Sequence, residues 1–271
     1  MMRKHAVRMI GTSAVAIALA ANVFAAGLAS DNAADAAYSD GWQSGDNGGT
    51  GWGGGWTLYT GMSGAGGHFV GTSQNNGFKD GNIDTSGRAW GEWANGGGYA
   101  NAVRPFDGTL SIAQTFVVDV DTGFIDAGSG NSVGFTLTGF GDPGATDQFS
   151  FFFRGGESNY KISTGRYMWY NETDTGVGFT SKGVHVEFTL TGATAYSVAI
   201  TPAGGSTTTL TGSLINAPFD HVELYNYNAG SSDPVGLNDA FFNYIAIVPE
   251  PTAAMLVGLG MVATLVVRRR K

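Results

Sequence analysis

The sequence predicts an all-β fold, an antiparallel two-sheet sandwich or jelly roll, on three observations. From Thr109 onward, short segments such as "SVGFTLTGF", "QFSFFFRG", "GVHVEFTLTG" and "AFFNYIAIV" are rich in β-branched and aromatic residues. Gly, Pro, Asp or Asn separates most of them, the punctuation of turns between strands. In "GVHVEFTL" Val184, Val186, Phe188 and Leu190 share one face and His185, Glu187 and Thr189 the other, the period of a strand with one buried side. No internal stretch has a helical period, and many short strands in one domain point to two packed sheets.

The elements follow in chain order. Residues 1–29 read as a secretory signal peptide: Arg3, Lys4 and Arg8 precede an apolar stretch from Met9 to Ala26, with small residues placed for cleavage before Ala26 or before Ser30. Residues 30–248 form the exported domain. Its first half, Gly41 to Gly98, is dense in Gly, Asn, Ser and Trp ("GWQSGDNGGTGWGGGWTLYTG"), which predicts short strands joined by long turns. After Thr109 the regular alternation takes over. Residues 249–271 differ again: Pro249-Glu250-Pro251 stops the domain, sixteen uncharged residues run from Thr252 to Val267, and Arg268, Arg269, Arg270 and Lys271 close the chain. As a helix the segment 252–267 spans about 24 Å. It is long enough to cross a bilayer once the basic side chains snorkel to the headgroups, with the C-terminus on the cytoplasmic side.

Tripeptide, apolar span and basic end, in that order at the C-terminus, resemble the PEP-CTERM sorting signal of Gram-negative bacteria. The resemblance implies recognition and processing by an exosortase, a membrane-embedded transpeptidase. It also implies delivery to the cell envelope, cell surface or extracellular matrix and association with extracellular polysaccharide. The domain's own phrasing, "NIDTSGRAWGEWANGG", "FFFRGGESNYKI" and "NDAFFNYIAIVPEP", is similar to a group of secreted proteins that carry this signal, and implies a concanavalin-A-like or related sandwich. It supplies no catalytic residues.

Charge narrows the partners. Between Ser30 and Val248 stand seven Lys and Arg against 21 Asp and Glu, so the exported domain carries about −14 where the whole chain carries −8. Nucleic acid needs clustered cations and is excluded as a partner. Divalent cations or neutral and basic glycans suit the field. There is no cysteine, so the domain relies on its core, which 17 Phe, 10 Tyr and 6 Trp can supply.

Four constellations could carry chemistry. His-Val-Glu occurs twice, at His185/Glu187 and His221/Glu223. Residues two apart on a strand point the same way about 6.6 Å apart, so neighbouring strands would bring two imidazoles and two carboxylates to one metal. Asp119, Asp121 and Asp126 offer oxygens at short spacing, which makes calcium the one cofactor left open, although the full calcium-loop pattern lacks its bidentate Glu. Glu92, Glu157, Glu172, Glu187 and Glu223 are carboxylates a glycosidase could pair, yet none forms the Glu-x-Asp-x-x-Glu signature of laminarinase-like sandwich enzymes. Neither a Gly-x-Ser-x-Gly elbow nor a thiol is present for nucleophilic catalysis. The fourth is aromatic: five of the six Trp lie in the Gly-rich half, and Trp52, Trp56 and Trp90 are the candidates to stack on sugar rings. The expected function is therefore an exported, non-catalytic surface or matrix protein that binds glycan; the rival is a secreted polysaccharide-active enzyme.

Overall fold

Two antiparallel sheets account for nearly all of the regular structure in the computed structural model, which describes residues 28–61, 65–139, 148–165, 170–215, 218–232 and 234–249. The strands are β1 (Ala29–Asp31), β2 (Thr57–Gly61), β3 (Gly66–Gly71), β4 (Ala89–Ala94), β5 (Tyr99–Pro105), β6 (Gln114–Thr122), β7 (Ser132–Thr138) and β8 (Gln148–Arg154). They continue as β9 (Asn159–Gly165), β10 (Glu172–Gly178), β11 (Val184–Leu190), β12 (Ala195–Pro202), β13 (Thr208–Ser213), β14 (His221–Tyr227) and β15 (Ala240–Pro249). One sheet runs β13-β12-β11-β6-β15-β4-β3, with β1 added beside β15; the other runs β10-β9-β8-β7-β14-β5-β2. The all-β sandwich is as the alternation predicts. Among the described residues no helix is long and apolar enough to cross a membrane. Of the segment 1–29 expected to be a signal peptide, residues 1–27 lie outside the described residues, as does the span 252–267.

The core forms where period-two faces meet. Phe116, Val118 and Val120 of β6 and Val184, Val186 and Phe188 of β11 look inward from the eight-stranded sheet, toward Phe135 and Leu137 of β7 and Phe149 and Phe151 of β8. Phe149 packs on Phe188 with ring centroids 4.4 Å apart, and Phe116 on Phe135 at 5.6 Å. A second, smaller apolar cluster of Phe69, Ile83, Ala89 and Phe241 lies outside this core. β15 carries a register shift between Asn243 and Ala246, so β4 pairs with its first half and β1 with its second. The bulge turns the buried Asn243 amide onto Ile83 O at 2.7 Å and Thr85 Oγ1 at 3.0 Å, tying the loop before β4 to the sheet.

The Gly-rich half is a wrap around one buried cation. Arg104 of β5 is fully buried and paired with the equally buried Asp31 of β1. Its guanidinium also donates to Asn47 Oδ1 at 2.9 Å and to Gly48 O at 2.7 Å, and sits over Trp52 at 4.8 Å and Trp56 at 5.3 Å. Tyr38 OH donates to Asp31 and accepts from Trp56 Nε1 at 3.0 Å. Five donors in a fixed fork draw carbonyls and rings into a shell that an apolar residue could not organise. Glycine is required where this shell touches β1: Gly49 and Gly51 have φ of +68° and +78°, and a Cβ there would stand 2.0 Å and 1.9 Å from the carbonyls of Ser30 and Leu28.

Candidate functional site

Three of the sequence-based constellations are corrected by the fold. Trp56 and Trp90 are 1% and 0% exposed and pack on each other at 5.4 Å, so neither presents a face to a glycan. Trp52 is half-buried between Phe106 and the Arg104 guanidinium. Large aromatics beside a buried arginine gain more from the core than from water. The two His-Val-Glu pairs do not converge, because β11 and β14 belong to opposite sheets. His185 instead bonds Asp119 across the ladder at 2.6 Å, which with Glu187 raises the imidazole to about 9. His221 Nδ1 lies 2.6 Å from Asp220 Oδ1. Asp119, Asp121 and Asp126 are likewise held by different partners. Asp121 is covered by the loop that contains Asn76, and Asp126 accepts from Ser232 at 2.6 Å and Asn238 at 3.2 Å. Among the described residues no group of three His, Asp or Glu is placed to hold a metal ion.

The registers instead assemble a polar and aromatic surface on the outer face of the seven-stranded sheet. Val222 and Leu224 of β14 enter the core, so Glu223, Tyr225 and Tyr227 point the other way. One cross-strand row reads Val103, Glu223, Thr136, Ser150, Ser163, Glu172. The next reads Tyr59, Asn101, Tyr225, Gly134, Phe152, Lys161, Asp174, and a third Gly61, Tyr99, Tyr227, Ser132, Arg154. The middle of this face, Ser132, Thr136, Ser150, Phe152 and Tyr225, is buried. At its β10 side Arg154 gathers Glu172 and Glu157, and Lys161 reaches Glu157 at 2.7 Å.

The open part is the corner made by β2, β5 and β14. Tyr59 and Tyr99 are 49% and 36% exposed there. Tyr99 stands opposite Gly61, where a Cβ would come within 1.8 Å of its ring, so the missing side chain lets the ring lie along β2 with its other face outward. Tyr227 meets Tyr99 at 6.0 Å and Tyr225 at 4.7 Å. Asn101 Nδ2 donates to Glu223 Oε1 at 2.5 Å and to Tyr227 OH at 2.9 Å, and Tyr227 OH donates to Glu223 at 3.1 Å. Burial raises the Glu223 carboxyl above its ordinary value, with the Tyr227 hydroxyl acting against it. Sequence reasoning missed this corner. Tyr59, Tyr99 and Tyr227 were visible as strand residues, but only the ladder registers place them side by side.

Beneath the corner, on the inner face of β4, Glu92 is 0% exposed. Among the described residues neither of its carboxylate oxygens has a hydrogen-bond partner, and His68 Nε2 is the nearest charge partner at 3.5 Å. Burial raises Glu92 to about 7; His68 pulls it down and the charge of Glu223 pushes it further up. Among the described residues it is closed off from solvent.

Fold and tail together define a class, an exported β-sandwich with a C-terminal address. Residues 248–271 match the PEP-CTERM protein-sorting motif, which marks the chain for exosortase processing and directs it to the cell envelope. No curated protein matches the sequence. Solved structures with similar folds include a carbohydrate esterase from Shiga toxin-encoding bacteriophage phi24B, 14% identical over 82% of this chain and 97% of that one, at a TM-score of 0.46. The T. cruzi calreticulin globular domain is 11% identical over 74% and 86%, at 0.47. Domain 4 of AbnA, a GH43 extracellular arabinanase from Geobacillus stearothermophilus, is 16% identical over 72% and 82%, at 0.40. At these identities the likeness is one of fold alone.

Proposed function

We propose that the protein is a non-catalytic component of the cell surface or extracellular matrix that holds extracellular polysaccharide at the Tyr59–Tyr99 corner. The observation that carries this reading is the Tyr99 ring laid over Gly61 with its outer face in solvent. A flat aromatic face accepts a sugar ring without charge, and the exposed Tyr59 beside it offers a second ring. Neutral stacking also suits a domain of about −14.

The carboxylates favour binding over hydrolysis. A glycosidase needs two carboxyl groups about 5–10 Å apart across a cleft. Glu223 and Glu172 share a row, but four strand spacings, about 19 Å, separate them. Glu157 and Glu172 are both engaged by Arg154, and Glu92 is sealed in the interior. The test is retention on polysaccharide extracted from the producing cells: Tyr99→Ala together with Tyr59→Ala should abolish it while the β-sheet circular dichroism is unchanged. Retention unchanged in the double variant would overturn the reading.

The delivery route is part of the same proposal. A signal peptide at the N-terminus opens export, and cleavage falls before Ala26 rather than before Ser30. Ala29 is 1% exposed and pairs with Ile247, and Ser30 N donates to Thr50 O at 3.0 Å. Cleavage before Ser30 would remove the first rung of β1 and put a charged amine in the second.

A further inference from the structure

The edge strands of the two sheets are not defended alike. β10 closes one edge of the seven-stranded sheet with a register shift between Asp174 and Gly178 and with the acidic pair Glu172 and Asp174, devices that keep a sheet from adding strands. On the opposite side the two sheets approach each other, and a Cβ on Gly66 of β3 would stand 2.5 Å from Tyr99 O of β5. β13 meets β10 of the other sheet, but among the described residues it carries neither a register shift nor a charged side chain. It pairs with β12 without a register shift from Ala195↔Ser213 to Ile200↔Thr208. Thr209, Thr211 and Ser213 are exposed, and from Phe188 to Phe219 the chain has no charged residue.

The free side of β13 can be read from its paired side. Leu214 N donates to Thr194 O at 2.7 Å, so in this antiparallel ladder Gly212, Leu210 and Thr208 turn their backbone groups toward β12. Thr209, Thr211 and Ser213 therefore aim their N–H and C=O groups away from the sheet. That is a ready template for a further strand.

We propose that β13 pairs with β13 of a second copy of this chain, antiparallel, joining two eight-stranded sheets into one. Absence of charge makes this edge the place where two such domains can meet. Domains of about −14 repel each other over most of their surface, and they can approach where no charge is displayed. The edge is also self-complementary. A two-fold axis at Thr211 sets Thr211 against Thr211 and Thr209 against Ser213, hydroxyl pairs with no like-charge clash. The inference is independent of the glycan reading.

The absence of native cysteine supplies the test. Residues opposed in a hydrogen-bonded antiparallel pair have Cα atoms about 5.5 Å apart, inside the range a disulfide spans. The full chain carrying Thr211→Cys, expressed in its producing cell, should run as a disulfide-linked dimer on a non-reducing gel of the envelope fraction. Thr173→Cys, exposed on β10, should not. Independently, Thr211→Lys should convert the sedimenting species from dimer to monomer with the β-sheet circular dichroism unchanged. A wild-type chain that sediments as a monomer overturns the proposal, and so does a Thr173→Cys chain that crosslinks as readily as Thr211→Cys.

Discussion

Replacing Glu92 by Gln should stabilise the protein, and only above acidic pH. The wild-type carboxyl lies in the interior with no hydrogen-bond partner among the described residues, and burial raises it from an ordinary 4.5 to about 7. The folded state therefore keeps a proton that the unfolded chain has released between those values. Stability from this group is fully present below about pH 4.5, falls as pH rises, and is gone above about pH 7. The interval corresponds to about 3 kcal/mol, and with Glu92 fully buried no solvent screening reduces it. Gln fills nearly the same volume and never ionises. The two proteins should be close in stability at pH 4, and Glu92→Gln should gain about 3 kcal/mol over wild type by pH 8. Urea unfolding followed by Trp fluorescence across this range measures the difference directly. Curves that stay parallel from pH 4 to pH 8 would refute the reasoning, because they would mean that the carboxylate is as well stabilised in the fold as in water.

Further outcomes follow from the same structure. Asp31→Asn leaves the Arg104 guanidinium buried without its counter-charge and should destabilise by about 3–5 kcal/mol in chemical unfolding. Trp56→Ala should lower stability by a similar amount, about 3–5 kcal/mol. Tyr99→Ala should cost about 1 kcal/mol or less, so a comparison of melts separates core ring from surface ring. N-terminal sequencing of the exported protein should begin at Ala26, and a start at Ser30 would show that the Ala29 rung of β1 is dispensable.

The regular half of the fold was legible because its information is local. Val184, Val186, Phe188 and Leu190 alternate in the sequence and alternate into the core, and β12 repeats the pattern with Tyr196, Val198 and Ile200. The Gly-rich half has the short strands and long turns its composition predicts, but its buried contents were not legible, for a physical reason. Glycine reports freedom to turn, not what the turn encloses, and here it encloses Arg104, a lone base within "NAVRPF". Its partner Asp31 is 73 residues away in the chain. The repeated His-Val-Glu failed similarly. Spacing along a strand is a local fact, whereas the assignment of β11 and β14 to opposite sheets depends on the whole topology. The tyrosine corner needed the same long-range information, since Tyr59 reaches Tyr227 only through two ladders.

Export rests on the C-terminal address, the PEP-CTERM motif at residues 248–271. The decisive measurement is the intact mass of the mature protein recovered from the envelope of its producing cells. Processing at the sorting signal predicts a C-terminus near Pro249-Glu250-Pro251, with the sixteen-residue span and the terminal bases gone. A mature surface protein that still ends at Lys271 would contradict it and reduce the tail to a plain membrane anchor.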